Sequence, residues 1–337
     1  MSTWRAIAVG SFLVVASATH AADSGPRQPS PAPVPEHIPW HEPSPLARLF
    51  LQLPFDAPQT TAAGRLAVQL DILYSNSILL ADGGSDPSLL VHVETAQPTL
   101  LLKYGLARNI EAQVAVPSVV DYGGFLDGVI WTVESWFNRL NPQRRQILAN
   151  TPRYVVTRAD GSGILSDATA AGLGDVWAGL KVGIPVPLAG IDVALRGAVK
   201  FPTGRIPFGS EELDVGAGLL ASWSWRGTAL RLEVDAVVPT ANLPVVHIDT
   251  RPYGAIQFAA VQRLGNRVAI LAQASGHSSP LTGTGLVQLD APTAYVLVGV
   301  NVAVSRSIRL RAAVAENIFS SYRGADITFP IGIEGRF

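Results

Sequence analysis

The chain has 337 residues, of which 48% are hydrophobic and only 15% charged, with a net charge of −1, 31 glycines and no cysteine. Average domains carry about 25% charged residues, so this surface is poor in charge for its length. The lack of cysteine excludes a disulfide frame, a thiolate metal site and a lipid-bearing cysteine at the mature N-terminus, and near-neutrality gives no electrostatic case for a nucleic-acid partner. The six histidines are scattered, with no pair at zinc-ligand spacing, so no metal or cofactor is expected.

Residues 1–21 carry one positive charge, Arg5, then the apolar core "AIAVGSFLVVASA" and "THA" before Ala22. This pattern is a secretory signal peptide cleaved near Ala21, and its core is too short for a membrane-spanning helix. Residues 22–60 follow as a Pro-rich stretch, in which Pro26, Pro29, Pro31, Pro33, Pro35, Pro39, Pro43 and Pro45 forbid helix and favour extended chain. A semi-rigid periplasmic tether is expected there.

From residue 61 to 337 one device repeats. In "RLAVQLDILY" Leu66, Val68, Leu70 and Ile72 oppose Arg65, Gln69 and Asp71. In "GIDVALRGAVKFP" Ile191, Val193, Leu195 and Val199 oppose Asp192, Arg196 and Lys200. Segments of this kind are expected at about 65–76, 89–104, 108–118, 172–184, 191–202, 213–225, 228–239, 252–263, 267–277, 292–304, 307–316 and 326–337, with one greasy and one wet face each. The junctions "GLARN", "LAG", "RGT", "LGN" and "SRS" are tight and fall at every second position, while those between them are long. Short turns on one rim and long loops on the other define an all-β, antiparallel, up-and-down transmembrane barrel of about 12 strands. Both chain ends then fall on the short-turn, periplasmic side. A secreted sandwich would also alternate, but it would carry more outward charge than these Ala-, Gly- and Ser-rich wet faces. Tyr104, Trp223 and Trp225 stand where an interfacial aromatic girdle belongs.

Residues 119–171 are too long for a plain hairpin loop. Leu126, Val129, Ile130, Val133, Phe137 and Leu140 recur at helical spacing, which predicts a short amphipathic helix stopped near Asn141. Its apolar stripe is expected to gate or plug the barrel mouth, unless it packs as a surface flap. The inward charges are the candidate solute contacts: Arg65, Asp71, Lys103, Glu111, Asp175, Lys181, Asp192, Arg196, Lys200, Asp214, Arg231, Glu233, Asp235, Arg309, Arg311, Glu334 and Arg336. They are nearly balanced in sign, which argues against the single-sign rings of a strongly selective pore. Balance suits either a weakly selective path for a small solute or a lumen closed by its own ion pairs.

Four stretches, "GGFLDGVIWTVESWF", "GLGDVWAGLKVGIP", "LRGAVKFPTG" and "GSEELDVGAGL", resemble an uncharacterised proteobacterial family of outer-membrane proteins, a domain-of-unknown-function family. The resemblance runs from about Leu46 to Phe337. It implies an outer-membrane location in a Gram-negative cell and a barrel fold, and brings no activity with it. The last strand, "FPIGIEGRF", ends on Phe337 and is similar to the sorting signal read by the barrel-assembly machinery. That machinery, outer-membrane lipid and an unidentified small solute are the expected partners. "GHSSP" offers His277 and Ser279, with Asn301 on the next strand, a constellation similar to that of outer-membrane phospholipases, though turn chemistry also accounts for the serines. The favoured expectation is a porin-like channel or transporter, with a closed barrel of structural or surface-contact role second and a lipid hydrolase third.

Overall fold

In an extended chain successive side chains point to opposite sides, so period-2 segments of ten or more residues can bury one face in protein and offer the other to lipid. The computed structural model describes residues 37–81, 85–136, 144, 147, 149–186, 190–243, 246–318 and 323–337. The predicted signal peptide and the first part of the predicted tether, 22–36, lie outside the described residues.

Twelve long strands follow in chain order: β1 Leu66–Leu80, β2 Ser88–Ala107, β3 Ile110–Tyr122, β4 Trp177–Ile184, β5 Ile191–Lys200, β6 Asp214–Trp225, β7 Thr228–Pro239, β8 Tyr253–Leu264, β9 Val268–His277, β10 Thr293–Ala303, β11 Ile308–Asn317 and β12 Ile327–Arg336. Each pairs antiparallel with its neighbour in sequence. β12 closes on β1 in continuous register from Ala67↔Arg336 to Asn76↔Ile327. Closure leaves no barrel strand with an unpaired edge, which hydrocarbon would not tolerate. At the tight β6–β7 turn, Arg226 and Gly227 both have positive φ, 47° and 87°, as a two-residue hairpin requires.

Two boundaries depart from the sequence expectation. β1 and β2 run on to Leu80 and from Ser88, and the hairpin of Arg153–Thr157 and Gly163–Ser166, with Tyr154, Val156 and Ile164 buried, extends their sheet by pairing with residues 88–92. The strand expected at 172–184 is broken: Ala170–Leu173 pairs with the end of β3, and β4 begins only at Trp177. Between them Asp175 turns inward, where its carboxylate accepts from the Gly204 and Ser210 amides at 2.8 and 2.9 Å and from Lys200 Nζ at 2.9 Å.

The outer face is apolar around the whole barrel. Leu70, Leu102, Leu180, Leu195, Leu219, Leu232, Phe258, Val298, Leu310 and Ile331 are all exposed. A band of this extent is a lipid-facing surface, since water-soluble monomers rarely expose contiguous apolar patches beyond a few hundred Å². Trp223 and Trp225 stack at 6.5 Å near the short-turn rim, and Tyr104 is exposed at the same level.

The interior corrects the tether. Residues 37–60 do not lie in solvent beside the barrel; from His37 to Asp56 nearly every side chain is buried inside it.

Candidate functional site: the lumen and its internal hairpin

Residues 37–61 form an irregular hairpin within the barrel. One arm, His37–Glu42, rises toward the long-loop end. Ser44–Leu49 turns through a single 3₁₀ turn at Ala47–Leu49, and Phe50–Thr61 descends to the short-turn rim, where β1 begins. The arms touch where the Phe55 amide donates to the Trp40 carbonyl at 2.9 Å. Pro39, Pro43, Pro45 and Pro54 carry no N–H, which lowers the number of donors such an enclosed, ladder-free chain must satisfy.

Barrel side chains supply the rest of those bonds. Gln273 clasps Ile38, accepting from its amide at 2.6 Å and donating to its carbonyl at 3.1 Å. Asp214, Glu233 and Glu111 accept from the amides of Leu51, Asp56 and Thr61 at 2.7, 2.7 and 2.5 Å. Lys200, Tyr253, Arg196 and Lys181 donate to the carbonyls of Leu49, Leu51, Pro54 and Ala57 at 2.8, 2.5, 2.9 and 2.9 Å. The inward charges thus cap a strand-like segment that has no sheet partner.

Apolar anchors complete the fit. Ile38, Trp40 and Phe55 pack with Leu73, Leu271, Tyr295 and Leu297. Leu51 and Leu53 pack with Leu101, Trp177 and Val237, and Leu46, Leu49 and Phe50 enter a cluster under the long loops with Leu79, Val91 and Tyr154. Close approach is possible at Gly105, where an added Cβ would fall 2.1 Å from the Ala62 carbonyl oxygen.

Most of the charged residues singled out in the sequence are buried and joined in ion pairs. Asp71 meets Arg311 at 2.7 Å, and Glu334 meets Arg309, Arg311 and Arg336 at 3.1, 3.5 and 2.5 Å. Arg196 pairs with Glu233 and lies 3.3 Å from Asp235, while Lys200 lies 2.9 Å from Asp175 and 3.2 Å from Asp214. Lys181 reaches Glu111 at 3.0 Å, and both Lys181 and Lys103 bind Asp56, at 2.8 and 2.7 Å. Arg231 is buried among them. Arg65, Asp192 and Arg336 are exposed at the short-turn end, where Asp192 accepts from Gln59 Nε2 at 2.7 Å.

Sequence reasoning missed the hairpin's own polar residues. At its tip Arg48 makes a two-pronged pair with Asp121 at 2.8 and 2.5 Å, between the rings of Tyr154 and Phe208. Glu42 accepts from Thr293 and Tyr295 at 2.5 and 2.7 Å, and Asp56 is the counter-ion of two lysines. A signal was present. From Ile38 to Phe55 the sequence carries eight large apolar residues, which a solvated tether has no use for.

Below the hairpin, at the short-turn end, is a cavity of about 580 Å³. His37, Asp56, Gln59 and Thr61 form its roof; Gln69, Lys103, Glu111, Lys181, Arg231 and Glu334 form its wall; Arg65, Arg263, Arg336 and Phe337 are at its mouth. Phe337 is exposed, and its amide and carbonyl are bonded to Leu66 at 2.8 and 3.2 Å.

Among the described residues of the insert, the apolar stripe of the helix is largely exposed. This helix, α1 Leu126–Trp136, buries Leu126 but leaves Val129, Trp131 and Trp136 exposed, with Ile130 half-buried. The Val133 side chain, Phe137 and Leu140 lie outside the described residues. In the described part of the insert, Asp127 and Arg144 are buried at the long-loop end, where Asn76 donates to Asp127 at 3.2 Å and Arg144 donates to Asn76 at 2.9 Å and to Asp326 at 2.6 Å, while the space below is taken by the hairpin. The hydrolase constellation is not assembled either. His277 faces Thr293 across the β9–β10 ladder and Asn301 faces Ala269, eight residues further along β10, roughly 27 Å at strand rise. Ser279 caps its own turn, donating to the Leu289 carbonyl and accepting from the Leu281 amide at 3.0 Å. Among the described residues no cluster of His, Asp and Glu is placed to hold a metal ion.

A closed twelve-stranded barrel with an apolar outer belt and a charged interior is a barrel of the outer-membrane type. Residues 40–337 match the family described as protein of unknown function, DUF3187, and the chain belongs to it. No curated protein matches the sequence. Among solved structures it is similar to the COG4313 outer membrane channel from Pseudomonas putida F1, at 11% identity and a TM-score of 0.57, over 83% of this chain and 97% of that one. Weaker matches are the NanC porin (8% identity, TM-score 0.44, 80% and 98% covered) and the KdgM porin in complex with oligogalacturonate (6%, 0.42, 81% and 99%).

Proposed function

We propose that the protein is an outer-membrane channel for a small solute, with the hairpin of residues 37–61 as its internal gate. The observation that carries this reading is that the lumen is occupied by a continuous terminal segment rather than by side chains of the wall. Remove that segment and the wall facing it is a passage lined by its charged side chains, with apolar patches around Leu271 and Trp177. The cavity at the short-turn end is the part of that passage already open, and in an outer membrane this end faces the periplasm. The charged wall residues then serve two states, bonding the hairpin when closed and lining the path when open.

The competing reading is a permanently closed barrel with a structural role in the envelope. It is favoured by the three apolar clusters that the hairpin completes, since withdrawing Trp40 or Phe50 would expose each to water at roughly 1.5–3 kcal/mol. Single-channel recording in planar bilayers separates the two. The full chain is expected to be closed or nearly so, and a chain lacking residues 37–60 to conduct steadily. If the deleted protein folds as a barrel, shown by circular dichroism and heat-modifiable gel migration, and still passes no current, the channel reading fails.

A further inference from the structure

The cavity at the short-turn end has a charge bias that the interior as a whole lacks. Six basic side chains and three carboxylates line it. Each of the three carboxylates is already held by several donors. Asp56 accepts from Lys103 at 2.7 Å, Lys181 at 2.8 Å and Gln113 at 2.9 Å. Glu111 accepts from the Thr61 amide at 2.5 Å and Gln113 at 2.8 Å, besides its pair with Lys181. Glu334 accepts from Arg336, Gln69 and Arg309 at 2.5, 2.9 and 3.1 Å. A cation entering here would have to break charge-assisted bonds to find a partner, whereas an anion enters a cavity whose wall is in cationic excess.

The origin of these groups adds a second point. Lys103 and Lys181 belong to the wall, on β2 and β4, but the carboxylate between them belongs to the hairpin. Asp56 is thus an occupant, supplied by the chain itself, of an anion site built into the barrel. Any movement that lifts the lower arm of the hairpin leaves the buried Lys103 ammonium without its carboxylate and Lys181 with Glu111 alone, so that the pair of ammonium groups is short of negative charge. We infer that this cavity binds a small solute carrying carboxylate or phosphate oxygens, which competes with Asp56 for Lys103 and Lys181. The biological use of the site rests on the channel reading above, but binding itself is measurable without transport.

Calorimetric titration of the full chain in detergent, at fixed ionic strength, tests it with citrate, inorganic pyrophosphate, spermidine and glucose. Saturable binding is expected for citrate or pyrophosphate alone, and whichever binds tighter distinguishes a carboxylate from a phosphate solute. Asp56→Asn removes the competitor and is expected to tighten binding about tenfold; Lys103→Gln with Lys181→Gln is expected to abolish it. Should the lysine variant fail to fold, Asp56→Asn decides: no saturable anion binding by that protein, or affinity unchanged from the native chain, overturns the inference. Reversal potentials of the protein lacking residues 37–60 form a second arm. Steady conductance with cation preference rejects the anion site and leaves the channel standing. Absence of conductance with anion binding intact does the reverse.

Discussion

At the scale of single residues, the hairpin tip and the insert are each held by one carboxylate that must stay ionised or paired. Arg48 is buried with Asp121 and its removal leaves that carboxylate without its guanidinium, a loss of about 3–5 kcal/mol for a buried pair. Arg48→Ala is therefore expected to free the tip. Because the native chain has no cysteine, maleimide labelling of Ala47→Cys reports this directly: slow in the native background and fast with Arg48→Ala. Equal labelling rates would show that the apolar cluster alone holds the tip. In the insert, burial by itself would raise the Asp127 carboxyl. Hydrogen bonds from His92 and the Asn150 amide, with Arg144 beside it, outweigh burial and hold it at about 2, against an ordinary 3.8. A carboxyl depressed on folding adds stability that is complete above its unfolded value and lost as pH falls through the folded one. Asp127 thus contributes stability that is complete above about pH 4 and fades between pH 4 and pH 2. Protease protection of the insert is expected to fall across that window in the native protein, and to be low and flat in Asp127→Asn. A native profile with no change in that window would mean the tie carries no stability.

At the scale of elements, the strands were legible and the hairpin was not, for a physical reason. A strand between lipid and lumen must alternate, and alternation is visible in a single sequence: Leu195 out, Arg196 in, and so on along β5. Its consequence is testable. Leu195 is mid-strand and 51% exposed, so Leu195→Arg puts a charge into hydrocarbon and is expected to cost about 2–4 kcal/mol in denaturant unfolding from lipid vesicles. A cost near zero would mean this face meets water. The hairpin has no such period, because its two sides both meet protein and its backbone bonds go to side chains from strands as distant as β9. Proline content in Pro39–Pro43 correctly indicates extended chain without a ladder, though the chain turns at Ser44–Leu49, and nothing local says whether such a chain lies in water or in a barrel. Only Trp40 and the run Leu46–Phe55 argued for burial. Likewise the stripe of α1 has helical period, yet period cannot say what the stripe packs on, and it is Asp127 that bonds the helix to His92 and Arg144.

At the scale of the whole barrel, the near-balance of inward charge conceals a separation along the axis. Toward the long-loop end the wall and the insert bury Glu94, Asp121, Asp127, Asp175, Asp214 and Asp326 against Arg144 and Lys200. From mid-barrel to the short-turn end that excess is gone, with Lys103, Lys181, Arg196, Arg231, Arg309 and Arg311 against Asp71, Glu111, Glu233, Asp235 and Glu334, and Arg65, Arg263 and Arg336 at the mouth. Counting charges from the sequence could not show this, because up-and-down strands place residues close in number at opposite ends and residues far apart, such as Asp71 and Arg311, side by side. An acidic long-loop end and a basic short-turn mouth concentrate opposite ions, and one polarity of voltage then fills the passage while the other depletes it. The barrel lacking residues 37–60 is accordingly expected to rectify: currents at equal and opposite voltages should differ in low salt and converge as salt rises and the Debye length shrinks below the pore dimension. Replacing Asp175 and Asp214 by Asn should reduce the asymmetry without closing the pore. A current–voltage relation that is symmetric in low salt would show that the two ends are neutralised by ions or bound water, and that the paired charges serve only to hold the hairpin.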